Sequence, residues 1–273
     1  MRVVITGVSG FIGKSLKNYL SHEGFDCIGV SRSSGPDHKI VSNYSDSPCG
    51  DVLIHCAESN DRNWVNNNSE ASYASNTIRN LSLLVEKNFS QVIYFSSSAI
   101  YGSNKGLCSI NDRVFSHDKY SEIKINSENI VLGTNGCVLR LANIYGPGMS
   151  RKNVISDILN QLSNRNKIDL ISGMPIRDFL NILDLMSAVK EAIVKGVSGK
   201  FNIGSGIGIS IQSLAELIIE INKSHQNIHF LEEKPIDSKI VLDISYTIEK
   251  LDWNPQISLK DGLVDLMNST KYE

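Results

Sequence analysis

The stretch "RVVITGVSGFIGKSLKNYL", Arg2–Leu20, places a short β-branched run directly before a glycine-rich turn and a helical pattern. The run "RVVITG" is typical of a buried strand, and "FIGKSLKNYLSHEG" predicts a helix that ends at Gly24. Gly7, Gly10 and Gly13 separate the two in a GxxGxxG spacing rather than GxGxxG. Glycines let the backbone turn sharply and approach a pyrophosphate, which then rests against the helix N-terminus. The stretch therefore indicates a dinucleotide-binding α/β fold.

The chain continues this alternation of strands and helices as far as "YGPG". The apolar runs "DCIGVSR", "DVLIHCAE", "QVIYFSSS" and "GCVLRLANIYG" predict strands, whereas "SNTIRNLSLLVEKN" and "KYSEIKINSENIVLG" predict helices. Continuous apolar strands that alternate with helices are typical of a parallel sheet covered on both faces. The predicted fold class is α/β, a Rossmann-type doubly wound parallel sheet with a smaller C-terminal α/β substrate lobe.

After "YGPG" the pattern changes, which predicts a second unit. Residues 149–175 suggest a helix and a connection, followed by a short extended piece and a helix in "RDFLNILDLMSAVKEAIVKG". "GKFNIGSG" predicts a strand, "ISIQSLAELIIEINKS" a helix, and "LDWNPQISLKDGL" a turn-rich tail. We predict an NAD(P)-binding domain over residues 1–148, with returning segments near 178–204, and a mainly substrate-binding lobe over residues 149–273.

The charge balance and composition of the chain argue against a nucleic-acid-binding or membrane-spanning protein. The 273 residues carry 27 Lys and Arg against 29 Asp and Glu, and no basic tract suits nucleic acid. The N-terminus lacks the h-region of a signal peptide, and no segment is long and apolar enough to span a membrane.

The five cysteines are scattered singly, which predicts reduced thiols in a cytoplasmic protein. His225 and His229 lack nearby ligands, so no metal site is predicted and a solvated helix end is expected there.

The end of the second predicted strand indicates which nucleotide is bound. An acidic residue there commonly bonds the ribose hydroxyls of NAD, but this strand ends in Ser31, Arg32 and Ser33. A guanidinium with neighbouring hydroxyls suits a 2′-phosphate, so NADP(H) is predicted over NAD(H). A surface arginine beside a site that takes NAD is the alternative.

The strongest chemical signal is Tyr120, four residues ahead of Lys124 on a predicted helix, where the two side chains stack on one face. A phenol titrates near 10 in water, and an adjacent ammonium stabilises its phenolate. Ser96, Ser97 and Ser98 end the preceding strand, at the edge where open α/β sheets bind ligands. Together these groups can protonate a carbonyl oxygen as hydride reaches its carbon, or perform the reverse.

Seven motifs resemble, in order, the extended short-chain dehydrogenase/reductases, specifically the NAD-dependent epimerase/dehydratase branch that acts on nucleotide sugars. They are "TGVSGFIG", "FSSSAIYG", "YSEIK", "LRLANIYGPG", "RDFLNILDL", "FNIGSG" and "LDWNP". The resemblance runs from Arg2 to about Gly262. Besides Tyr120 and Lys124, it implies cofactor contacts by eight residues: Gly7, Gly10, Phe11, Ile12, Gly13, Asn43, Ala57 and Asn76. Ser31 and Arg32 join this predicted cofactor site through the chemistry of the strand end described above. Glu58 departs from the small residue usual after Ala57.

The resemblance also implies the catalytic and substrate residues. Aligning "AIYG" with the family's "VYG" makes Ser97 the catalytic serine beside Tyr120 and Lys124, with Ser98 the alternative. The lysine also holds the nicotinamide ribose. Ser97, Ser98, Asn143 and Arg177 fall at substrate positions, Arg177 toward the diphosphate. A salt bridge with Asp178 or Asp184 is the structural alternative for Arg177, and a turn contact is the alternative for Asn143.

The residues after the predicted catalytic serine bear on which reaction is catalysed. Family dehydratases carry an acidic pair just after the catalytic serine or threonine, whereas this chain has Ser98 and Ala99. We predict an NADP(H)-dependent reductase of a 4-keto nucleotide sugar. An NAD-dependent nucleotide-sugar 4-epimerase and a non-catalytic NADP(H)-binding relative are the alternatives. The family also suggests a homodimer.

Overall fold

The structure is a computed structural model that describes residues 1–67, 71–164, 166–232 and 237–269. Its strands are β1 (Arg2–Thr6), β2 (Asp26–Ser31), β3 (Lys39–Ile40), β4 (Val52–His55), β5 (Gln91–Ser97), β6 (Asn104–Cys108), β7 (Cys137–Leu141), β8 (Asn143–Tyr145), β9 (Lys167–Leu170), β10 (Ile176–Asn181), β11 (Gly199–Ile203), β12 (Gly208–Ser210), β13 (Asn227–Phe230) and β14 (Lys239–Leu242). Its α-helices are α1 (Phe11–His22), α2 (Arg62–Asn67), α3 (Ala71–Val85), α4 (Lys119–Gly133), α5 (Val154–Asn164), α6 (Ile182–Val194), α7 (Ile211–Asn222), α8 (Ser245–Leu251) and α9 (Leu259–Ser269).

The main sheet is parallel and has seven strands in the order β11-β7-β5-β4-β1-β2-β3. Strand order reverses between β1 and β4, whose register pairs Val3 with Val52 and Thr6 with His55. In a doubly wound sheet the crevice beyond the carboxyl ends of two such strands is where ligands bind. The topology therefore places the segments after Thr6 and His55 at the ligand-binding edge.

Both faces of this sheet are covered by helices, which explains why its strands are continuously apolar. On one face, α1 contributes Leu16 and Leu20, and α6 contributes Leu185 and Val189, to the largest hydrophobic core. Trp253, far along the chain, is buried in the same core. On the other face, α3 and α4 pack a second core against the sheet. The predicted α/β class with a doubly wound parallel sheet is confirmed.

The remaining elements form a smaller unit beyond the carboxyl edge of the main sheet. A five-stranded sheet has the order β12-β10-β14-β6, with β8 paired to β10, and β13 and β9 form a separate parallel pair. Helices α5, α7 and α9 contribute to the core of this unit. No helix in the described ranges has both the length and the apolar character that crossing a bilayer requires.

Some predicted elements were wrong. The single strand predicted over residues 136–146 is two strands, because β7 stays in the main sheet while β8 pairs with β10. β9 lies in what the sequence suggested was a helix and connection, and α9 begins within the supposed turn-rich tail. His229 lies on β13, not at a helix end, and its Nδ1 lies 3.0 Å from Asp169 Oδ1.

Candidate active site

The glycine turn after β1 packs so closely against neighbouring backbone that Gly7 and Gly13 cannot carry a side chain. Gly7 has φ +73°, and a Cβ there would lie 2.8 Å from the carbonyl oxygen of Cys56. A Cβ on Gly13 would collide with the Gly7 carbonyl. Gly10 is the N-cap of α1 and offers no side-chain cap, so the first N–H groups of that helix remain available to an anion. This cradle fits the pyrophosphate of a dinucleotide.

A cavity of about 440 Å³ extends from this turn over the carboxyl edge of the sheet. It brings together most of the residues that the sequence predicts for cofactor binding and catalysis, and one predicted substrate residue, Asn143. The others are Gly7, Gly10, Phe11, Ile12, Gly13, Ser97, Tyr120 and Lys124. These residues come from the turn after β1, from the start of α1, from β5, from α4 and from β8. The arrangement places the predicted acid–base groups in the same cavity as the predicted nucleotide turn.

A second cavity adjoins the first and contains the predicted 2′-phosphate region. Arg32, Ala57 and Asn76 line it together with Tyr44. The Arg32 guanidinium carbon lies 5.3 Å from the centre of the Tyr44 ring, in a cation–π contact. Asn43 is exposed and does not belong to this lining.

Ser31 lies behind Arg32 and shapes the turn after β2. Its side chain is buried, and its hydroxyl donates to Ser9 Oγ at 3.0 Å while accepting from the Ser33 backbone N–H at 3.0 Å. Ser31 is thus used within the protein, and Arg32 is the group at this turn that is exposed to a ligand.

Tyr120 lies in the first turn of α4, and several hydrogen bonds fix the start of this helix. Asp118 is the N-cap and accepts from the backbone N–H of Ser121 at 2.8 Å and from Arg62 Nε at 2.5 Å. Burial opposes ionisation of Asp118, but hydrogen bonds from Ser121, Arg62 and Asn66 hold its pKa well below the ordinary value. Asn66 Oδ1 also accepts from the Tyr120 backbone N–H at 3.0 Å. The cap fixes where Tyr120 enters the cavity.

Lys124 lies one turn further along α4, and its side chain is almost fully buried. Its ammonium nitrogen is 5.8 Å from the centre of the Tyr120 ring and 5.0 Å from that of Tyr94. It donates to Glu58 Oε2 at 2.8 Å and to the carbonyl oxygen of Phe95 at 2.9 Å. Burial alone would lower the pKa of Lys124, but the charge of Glu58 raises it well above the ordinary lysine value. The geometry and the raised pKa therefore indicate a cation beside the phenol at neutral pH.

His55, at the end of β4, is the neutral neighbour of this pair. Its ring is buried, and Nδ1 lies 2.9 Å from Thr6 Oγ1. Burial lowers the pKa of His55 to about 4, against the attraction of Glu58. His55 thus adds a hydrogen-bonding ring and no charge at neutral pH.

The three serines after β5 differ in placement. Ser97 lines the first cavity, and its hydroxyl accepts from the Ala99 backbone N–H at 3.2 Å, whereas Ser98 is buried outside that lining. Ser96 also lines the cavity, and its buried hydroxyl finds no hydrogen-bond partner among the described residues. The geometry favours Ser97 over Ser98 as the residue that reaches a ligand.

The predicted substrate residues divide between the cavity and its surroundings. Asn143 lines the cavity and donates to the Asp178 carbonyl oxygen at 3.0 Å. Arg177 lies outside the lining and donates to the carbonyl oxygens of Ile176 and Ser238. Burial, and secondarily the charge of Arg62, lowers the pKa of Arg177. Asp178 and Asp184 do not form ion pairs with it, because they accept from backbone N–H groups instead.

The cavity mouth contains charged residues that the sequence analysis missed. Lys152 and Asp61 both line it and form an ion pair at 2.6 Å, and Arg62 lies beside them. These residues follow β4 and β8, so their position after strands of the carboxyl edge was the signal available. No group of three metal-ligating side chains occurs within the described residues.

Comparison with known proteins identifies the family. The family model described as "NAD dependent epimerase/dehydratase family" matches residues 3–204. The chain belongs to the NAD dependent epimerase/dehydratase family. The predictions of this family, and of an NAD(P)-dependent enzyme, are thereby confirmed.

Among its relatives is the dTDP-4-dehydro-6-deoxyglucose reductase of Escherichia coli, 27% identical over 98% of this chain and 97% of that protein. The GDP-6-deoxy-D-talose 4-dehydrogenase of Aggregatibacter actinomycetemcomitans is 28% identical over 84% of this chain and 82% of that protein. A solved UDP-glucose 4-epimerase from Thermotoga maritima, with UDP-glucose, superposes with a TM-score of 0.88 at 23% identity, covering 100% of this chain and 99% of the other. That structure supports the fold.

Proposed function

We propose that this member of the epimerase/dehydratase family is an NADP(H)-dependent reductase of a 4-keto nucleotide sugar. The observation that carries the proposal is the exposed Arg32 guanidinium at the end of β2, on the wall of the second cavity. A planar fork of donors suits a 2′-phosphate. A cofactor that must leave after every turnover fits net reduction, whereas an epimerase retains its nucleotide through oxidation and re-reduction.

The residues of the site support the acid–base half of the reaction. The bound nicotinamide supplies or accepts the hydride. Tyr120 donates a proton to the carbonyl oxygen as the carbon is reduced, and Lys124 stabilises the phenolate that remains. Ser97 holds the same oxygen by a hydrogen bond. Lys124 would also bind the nicotinamide ribose, and the N–H groups at the start of α1 would bind the pyrophosphate.

The segment after Ser97 argues against dehydration. A dehydratase of this family needs a carboxylate there that acts as a base and removes a proton from the sugar. This chain instead has Ser98 and Ala99, which begin the 3₁₀ turn of residues Ser98–Tyr101. Neither side chain can act as an acid–base at neutral pH. The names of two relatives, a reductase and a 4-dehydrogenase, support net oxidation or reduction at position 4 of a sugar nucleotide.

The test is a coupled assay with a 4-keto-6-deoxy nucleotide sugar and either NADPH or NADH. We expect one NADPH oxidised per sugar reduced, followed at 340 nm, and a kcat/KM for NADPH at least about tenfold above that for NADH. Interconversion of two sugars epimeric at position 4, without net oxidation of NADPH, would instead establish an epimerase. NADPH binding with neither activity would establish a non-catalytic relative.

A further inference from the structure

Glu58 is a buried carboxylate held on three sides at the centre of the site. Its side chain is 5% exposed, and its Oε2 lies 2.8 Å from Lys124 Nζ. The Tyr94 hydroxyl donates to Oε2 at 2.8 Å, and the Ser127 hydroxyl donates to Oε1 at 3.1 Å. A buried charge with this many partners is fixed in position rather than solvated.

The hydrogen bonds of Lys124 indicate what Glu58 does. An ammonium has three N–H donors. Glu58 Oε2 accepts one and the Phe95 carbonyl oxygen accepts a second. Within the described residues the third is left over, and Lys124 lines the first cavity. The two anchors lie after β4 and on β5, so the lysine is tied to the carboxyl edge of the sheet at two points.

We propose that Glu58 is a positioning residue that keeps the Lys124 ammonium charged and leaves one of its N–H groups for the cofactor ribose. This inference rests on the proposed function only in the role that it gives Lys124 toward the cofactor. Glu58 need not touch cofactor or substrate, since it acts through the lysine.

The other groups that face Lys124 cannot replace this carboxylate. They are His55 and Cys56 from β4 and its end, Tyr94 from β5, and Tyr120 from α4. Burial lowers the pKa of His55 to about 4, so it is neutral. Burial also raises the pKa of Cys56 and of Tyr94 far above neutrality. At neutral pH, Glu58 is therefore the anion that offsets the burial of the ammonium. The charge of Lys124 in turn lowers the pKa of Glu58, although burial alone would raise it.

The decisive variant is Glu58→Gln, which keeps the shape and one acceptor oxygen but removes the charge. A buried lysine without a counter-charge has a pKa lowered by up to about 3–5 units. We expect the ¹³Cε NMR signal of Lys124, assigned with Lys124→Arg, to titrate between about pH 5.5 and 10 in the ligand-free variant. In the wild type the same signal should stay constant up to about pH 10.5.

Deprotonation of Lys124 in Glu58→Gln should also weaken the binding of NADPH. Across the pH range in which the Lys124 NMR signal titrates, the Kd for NADPH, measured by its fluorescence, should rise about tenfold or more in Glu58→Gln and less than about threefold in the wild type. Glu128→Gln is the matched control, because Glu128 lies on the same helix as Lys124 and forms an equally buried pair with Arg140 of β7. It should leave the Lys124 titration unchanged.

Three outcomes would overturn the inference: a Lys124 that stays charged in Glu58→Gln, an equal shift in Glu128→Gln, or a Kd that does not change with pH. If Glu58→Gln does not fold, Glu58→Asp decides. Its shorter carboxylate should keep Lys124 charged while lowering kcat or NADPH affinity at least about tenfold, and wild-type values of both would refute positioning. The ligand-free NMR titration needs no substrate, so it remains decisive even if the reductase assay fails.

Discussion

At the residue scale, the Tyr120 and Lys124 pair could be predicted from sequence because both residues lie on one helix. Helical spacing fixes their relation locally. The position of Ser97 on the cavity wall was also accessible, since a strand must end at the ligand edge. Arg177 was harder to place, because its side chain donates to Ser238, which is distant in the chain. Asn43 lies in the loop before the 3₁₀ turn Tyr44–Asp46, where strand and helix patterns give no guide. Their roles, like those of the other predicted site residues, stay predictions.

Replacing Tyr120 with Phe tests the predicted proton donor. The ring and its packing remain, but no hydroxyl can exchange a proton with the substrate oxygen. We expect kcat to fall at least about 100-fold, in line with the usual contribution of general acid–base catalysis. The Kd for NADPH, measured by fluorescence, should stay within about twofold. A variant that retains wild-type turnover would show that another group transfers the proton.

Replacing Arg32 with Ala tests the choice of nucleotide. A hydrogen bond to a charged group contributes about 1.5–3 kcal/mol, so kcat/KM with NADPH should fall about 10–100-fold. The value with NADH should change little, because NADH has no 2′-phosphate. Arg113→Ala is a matched control, since Arg113 is also exposed and stacks over an aromatic ring, Phe115, at 5.5 Å. Equal losses with both nucleotides would remove the argument for NADP(H).

At the element scale, sequence periodicity predicted local elements well and long-range pairings badly. The bounds of α4 match the predicted helix over residues 119–133, because its cap and turn signals are local. The break between β7 and β8 was missed, since "CVLRLANIY" is apolar throughout and only the pairing of β8 with β10 divides it. β9 was missed for a related reason, because its partner β13 lies about sixty residues further on.

Replacing Asp118 with Ala tests the link between the cap of α4 and the site. Loss of an N-cap costs about 1–2 kcal/mol, and here it also releases Arg62 and Asn66, which hold the first turn. We expect a lower free energy of unfolding in urea together with a lower kcat. Ser210→Ala is the control. It removes the N-cap of α7, whose hydroxyl accepts from Ser213 N–H, and should reduce stability while sparing kcat.

The Asp118 carboxylate also predicts a pH dependence. Its pKa is lower in the folded protein than the ordinary value of about 3.9. Its stabilisation is therefore fully present above about pH 5 and is lost as the pH falls below about 4 toward the folded-state pKa. The stability difference between wild type and Asp118→Ala should be constant from pH 5 to 7 and should shrink at pH 3. A difference that grows on acidification would contradict this sign.

At the scale of the whole molecule, the chain crosses between its two units more than once. β11 returns to the main sheet and pairs with β7 from Gly199–Cys137 to Ile203–Leu141. The sequence predicted such a return near residues 178–204, but the division into 1–148 and 149–273 remains a prediction. The homodimer likewise stays a prediction.

Trp253 shows that the C-terminal part of the chain and the main sheet depend on each other for stability, and its replacement tests this dependence. The residue lies near the C-terminal end of the chain, yet it is 5% exposed within the core of α1, α6 and the main sheet. Its indole Nε1 donates to Ser187 Oγ at 2.8 Å. Trp253→Ala should reduce the free energy of unfolding by about 3–5 kcal/mol, because it leaves a cavity in that core and removes the hydrogen bond to Ser187.

The lower stability of Trp253→Ala should also affect NADPH binding. The core that contains Trp253 supports β1 and α1, and these two elements carry the glycine turn. As urea is added to the variant, the circular dichroism signal and the NADPH affinity should therefore be lost in the same transition. The urea midpoint of that transition should be lower than in the wild type. Trp64→Ala is the control for stability, since Trp64 is 47% exposed and its removal should cost no more than about 1 kcal/mol. Two separate transitions, with NADPH binding unaffected by the first, would mean that the C-terminal segment folds independently of the cofactor site.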